Sequence, residues 1–143
     1  MTHIKVGRKV QGIVYYNNSD GLFILGLHRT PDDGGFWQTL TGTVEEDESY
    51  QDCLIRELKE ETGIGSNEIL NIEGPIHEFA WGSNDTLYQE QVYLVEVTTG
   101  TIITLSEEHD EYQWITPVKS KEIFKFEGTK AGIDVLYEWQ NKI

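Results

Sequence analysis

One cysteine, three prolines and only 11 basic residues stand in a chain of 143 that carries 25 acidic ones. Each scarcity removes a class of protein. Cys53, being single, can neither close an intramolecular disulfide nor build a thiolate metal cluster, which fits a reducing, cytoplasmic setting. A formal charge of −14 repels polyanions at long range, so neither a sequence-independent nucleic-acid binder nor a protein of anionic membrane surfaces is expected. A small phosphorylated ligand stays open, provided that cations bridge it. The longest apolar run, "GLFILGL", is far too short to span a bilayer, and "MTHIKVGRKVQG" lacks an apolar stretch followed by a small-residue cleavage site. The reading is a soluble chain, neither exported nor anchored.

What is present points to a folded core. Hydrophobic residues make up 38%, with four Trp, seven Tyr and five Phe, a composition that excludes a disordered acidic tail. The length suits one domain, residues 1–143. "KVQGIVYY" (Lys9 to Tyr16) and "LFILGLHR" (Leu22 to Arg29) flank the turn cluster "NNSDG" and read as a hairpin. "TPDDGG" is a loop, and "FWQTLTG" a short extended piece. "ILNIEGPIHEFAW" and "EQVYLVEV" are further strands across the turn "GSNDT", and "EYQWIT" is one more, ended by Pro117. From Thr129 the chain reads as a terminal helix with Ile133, Leu136 and Tyr137 on one face. The sum is α/β or α+β: a mixed sheet covered by about two helices. Whether the strand from Gln91 to Val97 stays within the monomer or joins a homodimer is open.

Between Glu45 and Glu61 eight acidic residues crowd against Arg56 and Lys59 alone. Ser49 followed by Asp52 is a capping pattern and Gly63 a left-handed terminator, which places a helix over Tyr50–Thr62. Leu54, Ile55, Leu58 and Thr62 fall on one stripe; Cys53, Glu57, Glu60 and Glu61 fall beside it. Helix physics alone disfavours this arrangement. The i, i+4 pair Glu57 and Glu61 costs roughly 0.2–0.5 kcal/mol, and acids in the last turn oppose the helix dipole by roughly 0.3–1 kcal/mol. A hard divalent cation would repay both, because Mg²⁺ takes carboxylate oxygens, keeps several waters and bridges to phosphates. The plain alternative is a solvated acidic face with Arg56 and Glu60 as an i, i+4 pair.

The whole stretch decides between them. Gly42, five residues, Glu48, seven residues and then "RELKEETGI" (Arg56 to Ile64) resembles the Nudix box, G-x5-E-x7-R-E-U-x-E-E-x-G-U with U aliphatic, at all nine defined positions. The resemblance implies a Nudix hydrolase with an α/β/α sandwich, cleaving nucleoside diphosphates linked to another group with Mg²⁺ or Mn²⁺. It implies Glu57 and Glu61 as metal ligands, with Glu60 a further ligand or an orienter of metal-bound water. Arg56 would orient the carboxylates, Glu48 would pair with it, and the Gly42 carbonyl would complete the metal shell. The entry to the box is Thr41-Gly42-Thr43, where many members have Pro-Gly-Gly. In this, and in "SEEHDEYQWIT", the chain is similar to the dihydroneopterin triphosphate (or dATP) pyrophosphohydrolases. That likeness places Glu108 as a third metal-ligating carboxylate, with Glu107 the fallback, and puts Arg29 and Thr41 at triphosphate contacts.

Arg29 is equally readable as an edge-strand surface cation, and Arg8 and Lys5 are weaker phosphate candidates. Trp81 offers a stacking surface for a purine or pterin, whereas Trp37, Trp114 and Trp139 read as core or interface residues. His109 reads as a hydrogen-bonded structural histidine. Cys53, among acids, is structural rather than nucleophilic. The expected activity is Mg²⁺-dependent conversion of a nucleotide-type triphosphate to monophosphate and pyrophosphate, with Glu60 or Glu107 as the general base. The alternatives are another Nudix substrate (an ADP-sugar, a dinucleoside polyphosphate, an oxidised nucleotide, an RNA 5′ end) or a catalytically silent nucleotide sensor.

Overall fold

The computed structural model describes residues 4–140. Seven strands, β1 (Lys5–Asn18), β2 (Gly21–Arg29), β3 (Trp37–Gln38), β4 (Leu40–Thr43), β5 (Ile69–Ser83), β6 (Thr86–Val97) and β7 (His109–Ile115), form one sheet. Three helices accompany it: α1 (Tyr50–Thr62), α2 (Pro117–Ile123) and α3 (Glu127–Gln140). No helix among the described residues is long and apolar enough to cross a membrane.

The long strand β1 organises the sheet. It runs parallel to β6 from Lys5 to Tyr15, while its other edge is shared: Lys9 to Gly12 pair antiparallel with β4, and Tyr15 to Asn18 with β2. The sheet therefore forks where β1 changes partner. β2 continues to β3 and β7, and β5 closes the far edge against β6.

Side chains of a strand alternate between faces, and both faces are covered here. Val10 and Val14 of β1, with Tyr93, Val95 and Val97 of β6, pack on Leu54 and Leu58 of α1. Their neighbours Ile13, Tyr15, Val92 and Leu94 pack on Ile133 and Leu136 of α3. Burial on two faces explains why residues 12–16 of β1 and 92–95 of β6 are continuous apolar runs. Each fully buried Leu of α1 contributes about 1.5–3 kcal/mol.

Helix α1 has the bounds its local signals predict. The Ser49 hydroxyl accepts from the Asp52 N–H, and Gly63 closes the helix at φ 74°, a conformation that glycine adopts without penalty. Five expectations need correction. Ile55 is 45% exposed instead of joining Leu54 and Leu58, because the stripe that meets the sheet is narrower than the apolar pattern. Tyr137 is likewise exposed, and of the two readings of Trp139, core or interface, its 42% exposure removes the core one. Pro117 does not merely end β7: it occupies the first turn of α2, whose N-cap Thr116 accepts from the Lys119 N–H. The terminal helix begins at Glu127, two residues before Thr129.

Candidate functional site

The candidate site lies where α1 meets β4 and the 104–109 segment, at the fork of the sheet. Arg56 is its hub. Its Nε and Nη2 donate to the two oxygens of Glu48 at 2.7 and 2.9 Å, its Nη1 donates to Glu57 at 2.9 Å and to Glu60 at 3.2 Å, and Nη2 also reaches the Thr43 carbonyl at 3.3 Å. One guanidinium thus gathers three carboxylates, a fork-to-fork geometry that lysine cannot make. The hydrogen bonds from Arg56, aided by the Glu45 N–H, push the Glu48 carboxyl down to about 2, and Arg56 is held above its ordinary value in return.

Glu57 behaves differently. Burial raises its pKa, Arg56 opposes the rise, and the nearby Glu61 adds to it. A Cβ on Gly42 would lie 2.4 Å from Glu57 Cγ, so only glycine lets β4 pass under this side chain. Glu61 is buried at the C-terminal end of α1, 3.4 Å from Nδ1 of the buried His109. The Ser106 hydroxyl donates to Glu61 Oε2, the Ser106 N–H to the Glu61 carbonyl at 3.3 Å, and the Glu108 N–H to the Ser106 oxygen at 3.3 Å. His109 takes the Gln38 amide at Nε2, 3.1 Å away, which leaves its proton on Nδ1, facing Glu61; that nitrogen is buried without a hydrogen-bond partner. Burial pushes the His109 pKa below its ordinary value.

The structure brings Glu48, Arg56, Glu57 and Glu60 into contact and sets Glu61 on the same helix, one turn beyond Glu57. It does not converge them: among the described residues no three His, Cys, Asp or Glu side chains are arranged to hold a metal ion. The cause is Arg56, which draws Glu57 and Glu60 to itself. The donor set nevertheless suits a hard cation. It is all oxygen, it is crowded with negative charge, and the glycine at 42 lets the Glu57 side chain lie directly against β4. Glu108 and Glu107 are exposed in the turn before β7. That turn is tied to Arg29 by its backbone, since Arg29 pairs with His109 and the Thr30 N–H donates to the Glu108 carbonyl at 3.2 Å.

The expected phosphate contacts are dispersed. Arg29 donates to the Asp33 carbonyl at 3.2 Å and lies 5.9 Å from the centre of the Phe36 ring. Arg8 holds the Glu45 carbonyl at 2.9 Å and covers the Tyr50 ring, so its guanidinium braces the loop before α1. Lys5 lies 3.7 Å from Asp85, far along β1. Thr41 pairs with Gln11 in the sheet. Trp81 is 37% exposed, stacked on Tyr88 with ring centres 4.6 Å apart. Trp37 packs against the α3-side core, 5.0 Å from the His28 ring.

Sequence reasoning missed Ser106, Gln38 and Lys9, whose Nζ donates to Thr43 Oγ1 at 2.7 Å beside the box. Only Ser106 left a signal, its place two residues before Glu108.

A profile of the NUDIX domain matches residues 7–137. A dihydroneopterin triphosphate diphosphatase of Haemophilus influenzae is 29% identical, over 93% of this chain and 89% of its own length. An octanoyltransferase of Myxococcus xanthus is 34% identical over 112 residues, 77% of this chain, but the chain spans only 31% of that protein. Among solved structures, the binary complex of a Caenorhabditis elegans Ap4A hydrolase superposes with a TM-score of 0.83 at 16% identity, covering 96% of this chain and 99% of the other.

Proposed function

This chain belongs to the Nudix family, hydrolases of phosphoric anhydride bonds, and from that premise we propose that it converts a nucleotide-type triphosphate, such as dihydroneopterin triphosphate or dATP, to the monophosphate and pyrophosphate. The observation that carries the reading is the assembly of Glu48, Glu57 and Glu60 around Arg56 in the middle of α1, with Glu61 fixed by Ser106 one turn on. The Haemophilus relative's triphosphate substrate supports the choice of ring and phosphate number.

Glu57, Glu60 and Glu61, with the Gly42 carbonyl and Glu108, would hold Mg²⁺ or Mn²⁺. When bound, the cation neutralises phosphate charge and lowers the pKa of a coordinated water. The chain's own residues do the rest. Arg56 orients Glu48, Glu57 and Glu60 and holds the Glu48 carboxyl in its charged form. Ser106 fixes Glu61 and, through the Glu108 N–H, ties it to the next loop. Arg29, on the strand beside that loop, supplies the cation for a terminal phosphate. Proton removal falls to Glu60 or Glu107, both exposed to solvent.

The test is a panel of triphosphates, Ap4A and ADP-ribose incubated with Mg²⁺, with separate detection of pyrophosphate and orthophosphate. Pyrophosphate from a triphosphate is expected, and Glu61→Gln should lower turnover by at least about 10²-fold while leaving the thermal transition in place. Tight binding of a panel member with no turnover would mark the chain as a sensor. Full activity in Glu61→Gln would remove the metal assignment.

A further inference from the structure

A second polar cluster lies across the sheet from the box, on the face that α3 covers. Gln11 is 1% exposed, Thr39 1%, Thr129 2% and Glu90 9%. The Gln11 Nε2 donates to Glu90 Oε2 at 2.8 Å; its Oε1 accepts from Thr39 at 2.8 Å and from Thr129 in the first turn of α3. The other Glu90 oxygen accepts from the Trp81 indole N–H at 3.0 Å. The chain of bonds therefore runs from the sheet interior out to an exposed indole stacked on Tyr88, whose ring also carries Lys9 Nζ at 5.2 Å.

Holding the sheet together does not require the charge on Glu90. With glutamine at 90 and the Gln11 amide turned over, each of these four contacts would still pair a donor with an acceptor, because the Thr39 and Thr129 hydroxyls can accept as readily as they donate. A buried carboxylate is costly unless paired, and no Lys, Arg or His among the described residues forms an ion pair with this one. Nor is its capacity used: a carboxylate has about four acceptor sites and two are taken. What remains is an acceptor-only edge, fixed in direction by Gln11 and Trp81, beside an aromatic surface. Strand β4 connects this cluster to the box. Thr39 bonds Gln11, and by alternation Thr41 shares its face, while Gly42 lies under Glu57 on the other.

We propose that Glu90 is the specificity-determining residue of the site, accepting two N–H bonds from the amino-oxo edge shared by guanine and pterin rings while Trp81 supplies the stacking surface. The inference rests on the triphosphate reading above and names its ring. Guanine and pterin present an amino group and a ring N–H on adjacent atoms, which match the two carboxylate oxygens. Adenine presents an amino group beside an unprotonated ring nitrogen, whose lone pair would face the carboxylate. A matched bidentate pair of this kind discriminates by about 10- to 100-fold.

The experiment compares kcat/KM for GTP, dihydroneopterin triphosphate and ATP in the wild type and in Glu90→Gln. The wild type should favour the first two by about 10- to 100-fold, and Glu90→Gln should bring the ratio close to one, through a rise in KM for GTP and dihydroneopterin triphosphate. The ratio within one variant is independent of the fraction folded. A wild type that prefers ATP, or a ratio unmoved by Glu90→Gln, overturns the proposal. If the wild type hydrolyses none of the three, the triphosphate reading fails and Glu90 is tested by binding, read from quenching of tryptophan fluorescence. A guanine preference lost in Glu90→Gln then sustains it, and equal binding of GTP and ATP by the wild type refutes it.

Discussion

Alanine at position 42 separates two uses of the box glycine, its carbonyl and its missing side chain. The Gly42→Ala carbonyl is unchanged, and Gly42 is not among the residues of positive φ, so the backbone accepts alanine. The added Cβ would lie 2.4 Å from Glu57 Cγ and 2.8 Å from its Cδ. Non-bonded carbons rest at about 3.5–4.0 Å, so Glu57 must retreat by roughly 1–1.5 Å. Overpacking of this size costs about 1–3 kcal/mol of stability. The functional cost is larger in proportion, since metal–ligand distances tolerate only about ±0.2 Å and a misplacement near 1 Å can cost about 10²-fold in rate. The assay is kcat/KM against Mg²⁺ concentration, with the thermal transition measured in parallel. Expected are a modest fall in Tm, a higher Mg²⁺ requirement and a rate lower by about 10²-fold. Wild-type Mg²⁺ dependence and rate in a folded Gly42→Ala protein would falsify the claim that the close seating of Glu57 on Gly42 is functional.

Removing the Ser106 hydroxyl should loosen Glu61: Ser106→Ala is expected to raise the Mg²⁺ concentration for half-maximal activity by about 10- to 100-fold with little change in Tm, and Ser106→Thr to restore it. An unmoved Mg²⁺ midpoint would leave Ser106 as a loop tether only. Glu48 titrates in the folded state at about 2, below its ordinary 4.5, so its pairing with Arg56 stabilises the fold above pH 4.5 and is lost as pH falls towards 2. The Tm of Arg56→Gln should accordingly fall less steeply than that of the wild type between pH 4.5 and 2; parallel curves would refute the assignment. Cys53 is fully buried and burial pushes its thiol up to about 12, so iodoacetamide at pH 8 should label it only after unfolding in urea. Rapid labelling of the native protein would contradict this.

Legibility followed the range of the interactions. Helix α1 was readable to its ends because its cap, terminator and apolar stripe lie within the 15 residues from Ser49 to Gly63. Helix α2 is readable in principle from Thr116-Pro117, an N-cap followed by a first-turn proline, but the same proline equally ends a strand, and nothing local separates the two uses. The apolar stripe overstated burial at Ile55 and Tyr137, since hydrophobicity marks which side chains can be buried while the curvature and reach of the partner surface decide which are.

By itself, the sequence determined the box: spacing placed its carboxylates on one helix, and helix geometry placed Glu57 and Glu61 one turn apart. The tertiary structure decided what surrounds them. The forked pairing of β1 brings β4 beneath Glu57, the return of the chain to β7 sets Ser106 and His109 against Glu61, and Gln11 meets Glu90 across 79 positions of sequence. A helix carries its own periodicity within a dozen residues. A strand's partner is chosen by burial over the whole sheet, so the groups that orient the acids and face the ring become neighbours only when the sheet closes.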